Sequence, residues 1–293
     1  MTIPQGLSVG LLVAGIVAGT IGDRPPRRDA LLLGGYRVLA ADFHIHSSTW
    51  SDGALTPLGL VLEAERQGLD AIAITGHNQV SDAKVGRWFA ATTGGPIVIT
   101  GQEVLAPAHH VIAVGIEHVV DSRQDVAQQI VAIHEQGGIA IAAHPVPSFW
   151  PGFDGTAMAK LDGAEICHPL VFGNDEGQRE LEQFAARGQF AAIGSSDFHG
   201  LGRMGMCRTY VFAADATPRG ILDALRAHRT VVYGEKGRVY GDPSLVQLAA
   251  TQPALRQQAV EDSAPSGLDV LSRCLGLAGL ASLVLTRTRA SPV

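Results

Sequence analysis

The sequence predicts an α/β fold, a parallel sheet or a β/α barrel with a polar pocket at one end. Three observations carry that expectation. Short apolar runs rich in Val, Ile and Ala alternate with segments of helical spacing between Tyr36 and His228, the pattern of repeated strand–loop–helix units. The chain is 46% hydrophobic but only 17% charged and 5% aromatic, as suits strands buried on both faces. Polar residues gather directly after the apolar runs, at the strand C-termini, where barrels of this kind place their chemistry.

The elements follow in order. Tyr36–Phe43 reads as the first strand and Pro57–Gly68 as a helix ended by glycine. Leu69–Thr75 is a buried strand running into Gly76-His77-Asn78, and Ser81–Ala91 a helix. Strands over Pro96–Thr100 and His110–Val114 precede an amphipathic helix over Asp125–Gln136, closed by Gly137-Gly138. Ile139–Ala143 runs into His144-Pro145, and Ala164–Cys167 into His168-Pro169. A helix over Glu176–Arg187, strands over Phe190–Gly194 and Arg208–Phe212, and a helix over Pro218–His228 complete the pattern.

The flanks differ. Residues 7–22 are uncharged and mostly apolar, at the low end of the length of a membrane span. No Lys or Arg precedes them, unlike a secretory signal, while Arg24, Arg27 and Arg28 follow around Pro25-Pro26. The expectation is a membrane anchor and linker over 1–32, with the next domain cytoplasmic. A globular domain is expected over 33–247. Residues 248–293 then hold a polar linker, Thr251–Ser266, and a partly apolar stretch, Leu268–Thr286, interrupted by Asp269 and Arg273. That stretch is either a second span or an amphipathic helix lying on a membrane or on the domain. Arg287 and Arg289 follow it.

Net charge is −6 and no basic run lies within the globular part, which argues against a phosphate-tracking nucleic-acid surface. Cys167, Cys207 and Cys274 are scattered, so neither a disulfide framework nor a Cys-x-x-Cys metal pair is present.

Eleven histidines invite a search for clusters. His44 and His46, two apart on an extended strand, share a face. With Asp52, His77, Glu103, His110, His144, Asp197 and His199 they fall at strand ends across one domain. So many buried imidazoles and carboxylates need counter-charges, and two or three divalent metals satisfy them. Mixed N/O donors suit Zn, Mn or Fe better than Mg or Ca. His109 beside His110 is a rival for one ligand position; His110 is preferred because it starts the apolar strand.

The set His44-x-His46, Ser51-Asp52-Gly53, Thr75-Gly76-His77-Asn78, Gly101-x-Glu103, His110, Ala143-His144-Pro145 and Ser196-Asp197-x-His199 resembles the PHP (polymerase and histidinol phosphatase) metallohydrolases, over roughly Val38–Val239. The resemblance implies a distorted seven-stranded β/α barrel with two or three metals. It places one ion on His44, His46, Glu103 and Asp197, a second on bridging Glu103, His110 and His144, and a third on Asp52, His77 and His199. It implies hydrolysis of a small phosphate monoester or diester by activated water. A branch of the family that cleaves esters or carbamates is the first alternative, and a catalytically weak binding domain the second. The chain departs from the family in carrying Gly76 where an Asp is usual; loss of that carboxylate is expected to loosen a neighbouring ligand. His168 is read as a proton donor or substrate contact, or else a turn histidine. Arg203 is read as a phosphate fork, or else a solvated loop charge. Trp50, Phe149 and Trp150 are read as packing residues that could wall a substrate pocket.

Overall fold

The computed structural model describes residues 3–22, 31–200, 202–260 and 267–288. The linker residues Arg24–Arg28, the second half of the expected polar linker (261–266) and Arg289 lie outside the described residues. The chain forms two compact units, Met1–Arg27 with Glu261–Val293, and Arg28–Val260.

In the first unit, helix α1 (Ile3–Gly22) packs along the C-terminal helix of the chain, Gly267–Thr288. Small residues make the contact. A Cβ on Gly15 would lie 2.8 Å from the nitrogen of Gly276, and Ser8 Oγ donates to Ser282 Oγ at 2.7 Å. The expected membrane spans are corrected here. Among the described residues no helix is long and apolar enough to cross a membrane. Asp269 and Arg273 interrupt the second segment.

The second unit is a mixed α/β, nearly closed barrel. Its strands are β1 (Leu31–Leu33), β2 (Tyr36–Ile45), β3 (Ala71–Ile74), β4 (Ile97–Ala106), β5 (His109–Val114), β6 (Ile139–Ala142), β7 (Gly163–Cys167), β8 (Ala191–Gly194), β9 (Thr209–Ala213), β10 (Thr230–Tyr233) and β11 (Val239–Gly241). β2 to β8 follow one another around the wall in sequence order. β9 pairs with β2, β10 and β11 extend beyond it, and β1 folds back on β2. The gap between β8 and β9 is stitched by one side chain: Thr209 Oγ1 accepts from Gly194 N at 2.8 Å and donates to Gly194 O at 2.9 Å.

The sheet is not uniformly parallel. β4, β5 and β6 pair antiparallel, as do β2 and β9. The β4–β5 hairpin turns on Pro107-Ala108, with Ala106 opposite His109. Helices α2 (Pro57–Arg66), α3 (Ser81–Thr93), α4 (Val126–Glu135), α5 (Gly155–Met158), α6 (Asp175–Ala185) and α7 (Pro218–Arg226) fill the connections. Side-chain caps start several of them: Thr56 accepts from Gly59 N, Asp125 from Gln128 N, and Thr217 from Gly220 N. α8 (Pro243–Ala250) and α9 (Pro253–Val260) follow β11. α9 takes up the first half of what the sequence suggested was linker; Pro253 begins it, as proline can at a helix start.

Leu39, Ala41, Phe43, Ile112, Ile141, Ile193 and Val211 fill one apolar layer with Ile221 and Leu225 of α7. α7 touches β4, β6 and β9, so it closes one end of the barrel. A register shift between Asp42 and Ile45 interrupts the pairing of β2 with β3. It reverses the alternation along β2. Phe43 packs in the barrel layer, yet Ile45 packs outward with Ile72 and Ile74, which turns His44 and His46 inward.

Thr209→Val keeps the side-chain shape and removes both hydrogen bonds at the seam. It should cost about 1–3 kcal/mol in urea denaturation; an unchanged midpoint would show that the seam is held by packing alone.

Candidate metal centre

The open end of the barrel holds a ring of imidazoles around one carboxylate. Glu103, on β4, is buried. Its Oε2 lies 2.9 Å from His77 Nε2, 3.4 Å from His44 Nε2 and 3.5 Å from His46 Nε2. Its Oε1 lies 2.9 Å from His110 Nδ1 and 3.4 Å from His144 Nε2. The β4–β5 register sets part of this: Glu103 pairs with Ile112 and Leu105 with His110, so Glu103 and His110 share a face. His77 is held beside Glu103 by a short parallel bridge. Asn78 completes it, donating its N–H to Glu103 O at 3.0 Å and accepting Leu105 N–H on its side chain at 3.0 Å.

Asp197 closes the ring from the loop after β8. Its Oδ1 is 3.2 Å from His44 Nε2 and 3.1 Å from His46 Nε2. That loop runs beside the top of β2, where His46 N donates to Phe198 O at 2.9 Å. Asp52, the most exposed member, has Oδ1 at 3.3 Å from His199 Nε2, 3.6 Å from His46 Nδ1 and 3.7 Å from His77 Nδ1. All nine residues singled out as ligands therefore meet in one place. They form overlapping groups whose potential ligand atoms lie within 4.8 Å of one another: His44, His46 and Asp197; Glu103, His110 and His144; and His46, Asp52, His77 and His199. His109 points away and bonds Gln129 Oε1 at 2.9 Å.

These atoms fit cations better than they fit each other. His44 Nε2, His46 Nε2, His110 Nδ1, His144 Nδ1 and Asp197 Oδ1 are buried without a hydrogen-bond partner, a state that costs free energy unless something else satisfies them. Two donor residues also hold uncommon backbone angles, His144 at φ 28° and Asp197 at φ 47°. Burial alone would raise the Asp197 carboxyl, but His44, His46 and His168 hold it far below the usual carboxylate range. Glu103 is likewise held well below its range against burial, chiefly by His44, His110 and His144. Burial would lower His44, yet Asp197, Glu165 and Glu103 push it well above its ordinary value. His46 moves the other way, lowered by burial.

His168 sits at the edge of this ring, fully enclosed. Its Nδ1 accepts Leu170 N–H at 3.1 Å, so the neutral ring carries its proton on Nε2, which faces Asp197 Oδ2 at 3.6 Å. Burial pushes it down to about 4. With its proton on Nε2, His168 is a neutral hydrogen-bond donor, and with His44 and His144 it forms a further group of potential ligand atoms within 4.8 Å of one another. Arg203 lies half-buried in the loop after His199, with its carbonyl accepting Met206 N–H at 3.3 Å. Trp150 packs its ring 4.3 Å from that of His144 and 5.1 Å from that of His110, and Phe149 beside it is exposed. Trp50 is also exposed.

Three buried carboxylates escaped the sequence reading, Asp42 and Glu165 on strands and Asp82 on α3. Asp42 accepts His44 N and Ser196 N on Oδ1, and Ser196 Oγ and Gly205 N on Oδ2. It pins the irregularity in β2 to the loop that carries Asp197. Glu165 accepts from His44 Nδ1 at 3.0 Å and from His144 N at 2.5 Å. The signal for Asp42 and Glu165 was a carboxylate inside an apolar run.

Gly76 is also reread. A Cβ there would lie 2.0 Å from Gln79 Nε2 and 2.5 Å from Asp82 Oδ2. Buried Asp82, at the start of α3, already fills the space and accepts Ser47 Oγ at 2.8 Å. A side chain on residue 76 would have to displace the ends of the Gln79 and Asp82 side chains.

No family model matches the chain. In structure it is similar to a two-domain protein of Bacteroides vulgatus whose description predicts a PHP-like metal-dependent phosphoesterase. The two share 24% identity and a TM-score of 0.62, over 78% of this chain and 74% of that one. In sequence it is 26% identical over 139 residues to an uncharacterized protein of Methanocaldococcus jannaschii, covering 44% of this chain and 81% of that protein. The fold is thus PHP-like, as the motif set led us to expect.

Two outcomes are expected. Gly76→Asp should lower the melting temperature and leave metal affinity no tighter, because the new carboxylate displaces Gln79 and Asp82; tighter binding would contradict the packing described. The second concerns pH. His44 and His77 are both raised above 6.5, so in the metal-free protein their stabilisation is complete below 6.5 and is lost as pH rises through their folded values. His46 opposes this below its ordinary value, but its shift is the smaller. Metal binding needs deprotonated imidazoles and gains over the same window. The melting-temperature difference between zinc-loaded and chelator-treated protein should therefore widen above pH 6.5; a constant difference would exclude this linkage.

Proposed function

We propose that the chain is a PHP-family metal-dependent hydrolase that cleaves a small phosphate monoester or diester, with residues 33–247 as its catalytic domain. The observation that carries the reading is that buried, partnerless His44 Nε2, His46 Nε2 and His110 Nδ1 converge on Glu103, with Asp197 Oδ1 beside the first two. His44, His46, Glu103 and Asp197 would hold one ion, Glu103, His110 and His144 a second, and Asp52, His77 and His199 a third. Zinc, manganese or iron suits this N/O donor set. Bound there, the ions would supply Lewis acidity that makes water a nucleophile near neutral pH and offsets charge on the reacting group.

The chain's own residues do the rest. Glu103, with two oxygens directed at different histidines, is built to be shared between ions. His168 presents Nε2–H beside Asp197 Oδ2, where it can steady that carboxylate or donate to a substrate oxygen. Arg203 is assigned to the phosphate, as a planar fork suited to its oxygens. Trp150, over His110 and His144, excludes water from one side of the ring. That apolar wall also favours a second reading, cleavage of a carboxylic ester or carbamate. The third alternative, a weakened binding domain, rests on the missing carboxylate at Gly76, beside which the Asp82 carboxylate stands.

The test is elemental analysis of the full chain together with turnover of a chromogenic phosphate monoester, a phosphate diester and a carboxylic ester. Two or three metals with phosphate turnover support the proposal, and turnover of the ester alone moves the protein to the second reading. His144→Ala and Asp197→Ala should each lose metal and at least about 100-fold in activity together. Full metal content in either variant would count against the ligand set.

A further inference from the structure

The ligand histidines are themselves held, and one group holds two of them. Glu165 lies within β7, enclosed among strands and with no solvent exposure. It belongs to none of the groups able to hold an ion. Its Oε1 is 3.0 Å from His44 Nδ1, and its Oε2 accepts the backbone N–H of His144 at 2.5 Å. The first bond decides a tautomer. With the proton on Nδ1 and directed at Glu165, His44 keeps the lone pair of Nε2 for the ring centre, where that nitrogen is partnerless. The second bond acts on a backbone. His144 sits at φ 28°, an angle a side-chain-bearing residue adopts at a cost, and the charge-assisted bond from its N–H offsets that cost.

We infer that Glu165 is a positioning residue common to two metal positions: it fixes the His44 tautomer at one and the His144 backbone at the other, and leaves the third alone. The inference rests on the metal reading above and adds to it a coupling between sites. His44 arrives on β2 and His144 follows β6, so the two ligands meet no common element of backbone. Glu165 joins them from outside the ring, as Glu103 does from its centre. The third position, Asp52, His77 and His199, is supported instead by Ser51, which donates to Asp52 Oδ1 at 3.2 Å and accepts His77 N at 3.3 Å. Loss of Glu165 should therefore be felt at two ions and spared at the third.

Glu165→Gln tests this in the full chain. The amide keeps the volume but offers one accepting oxygen in place of two, so either His44 Nδ1–H or His144 N–H loses its acceptor. Zinc titration against a chromophoric chelator should show two ions weakened by about 10–100-fold and the remaining ion unchanged. Glu165→Asp, which restores the charge at shorter reach, should recover part of the loss. A merely structural role would lower the melting temperature of metal-free protein and leave all zinc affinities as they were. That result, or equal weakening of every ion, overturns the inference. If the variants do not fold, nitrogen NMR of the unaltered, zinc-loaded chain still decides. The His44 proton should lie on Nδ1, and a proton on Nε2 overturns the assignment. Failure of the unaltered chain to bind zinc would instead overturn the metal reading itself.

Discussion

One buried carboxylate facing five imidazoles is the constraint on which the rest of this structure turns. Glu103 touches His44, His46, His77, His110 and His144, residues that arrive from β2, the loop after β3, β5 and the loop after β6. A charge enclosed in protein is tolerated only with opposite charge or strong donors around it. Those donors must come from different strands, because no single element can surround a point. A closed wall of strands satisfies that requirement, and the barrel is such a wall.

The wall has to be irregular to do so. A uniform β2 would direct His44 and His46 at the outer helices, on the side where Val38 and Ala40 pack. The shift between Asp42 and Ile45 reverses the faces at the height of the site. Asp42 holds that shift by bonding His44 N and Ser196 N together. The irregularity and the placement of Asp197 are thus one feature. The β8–β9 gap is a similar compromise. Strands that cannot pair along their length are joined by the Thr209 hydroxyl.

Much of the site was legible in the sequence because ligands are strong residue types in weak surroundings. A histidine or carboxylate directly after a run such as Ala71–Ile74 or Ile139–Ala142 stands out. The positions of the strands β2–β8 were legible for the same reason, since each apolar run is short and separately bounded. Direction was not. Pro107-Ala108 joins β4 and β5 as a tight hairpin; the short helix-free stretch between the two apolar runs, too short for a crossover, was the signal that the repeated strand–helix pattern masked. Glu165 was missed because in the run Gly163–Cys167 one polar residue between apolar ones resembles an outward-facing position on a half-exposed strand. Only the enclosure of both faces shows that it has no outward side. Asp82 was missed because its role is spatial: it lies on another element and fills a space that sequence position assigns to residue 76.

The two ends of the barrel divide the work. At the closed end, α7 and residues such as Phe43, Ile112, Ile141 and Ile193 form an apolar layer with nothing to satisfy but packing. At the open end, partnerless nitrogens and the positive φ of His144, Asp197 and Asn78 raise the free energy of the metal-free protein. Strain of that kind persists only where the surroundings over-determine it, and each strained residue here has its own tether. Glu165 holds His144, Leu105 holds Asn78, and the Asp42–Ser196 bonds adjoin Asp197. Asp42 and Leu105 lie on strands whose other residues pack in the apolar layer, Leu39 and Ala41 on β2 and Ile99 on β4. Tight packing at one end is therefore what allows an unsatisfied ring to stand at the other, ready for cations without collapsing on itself.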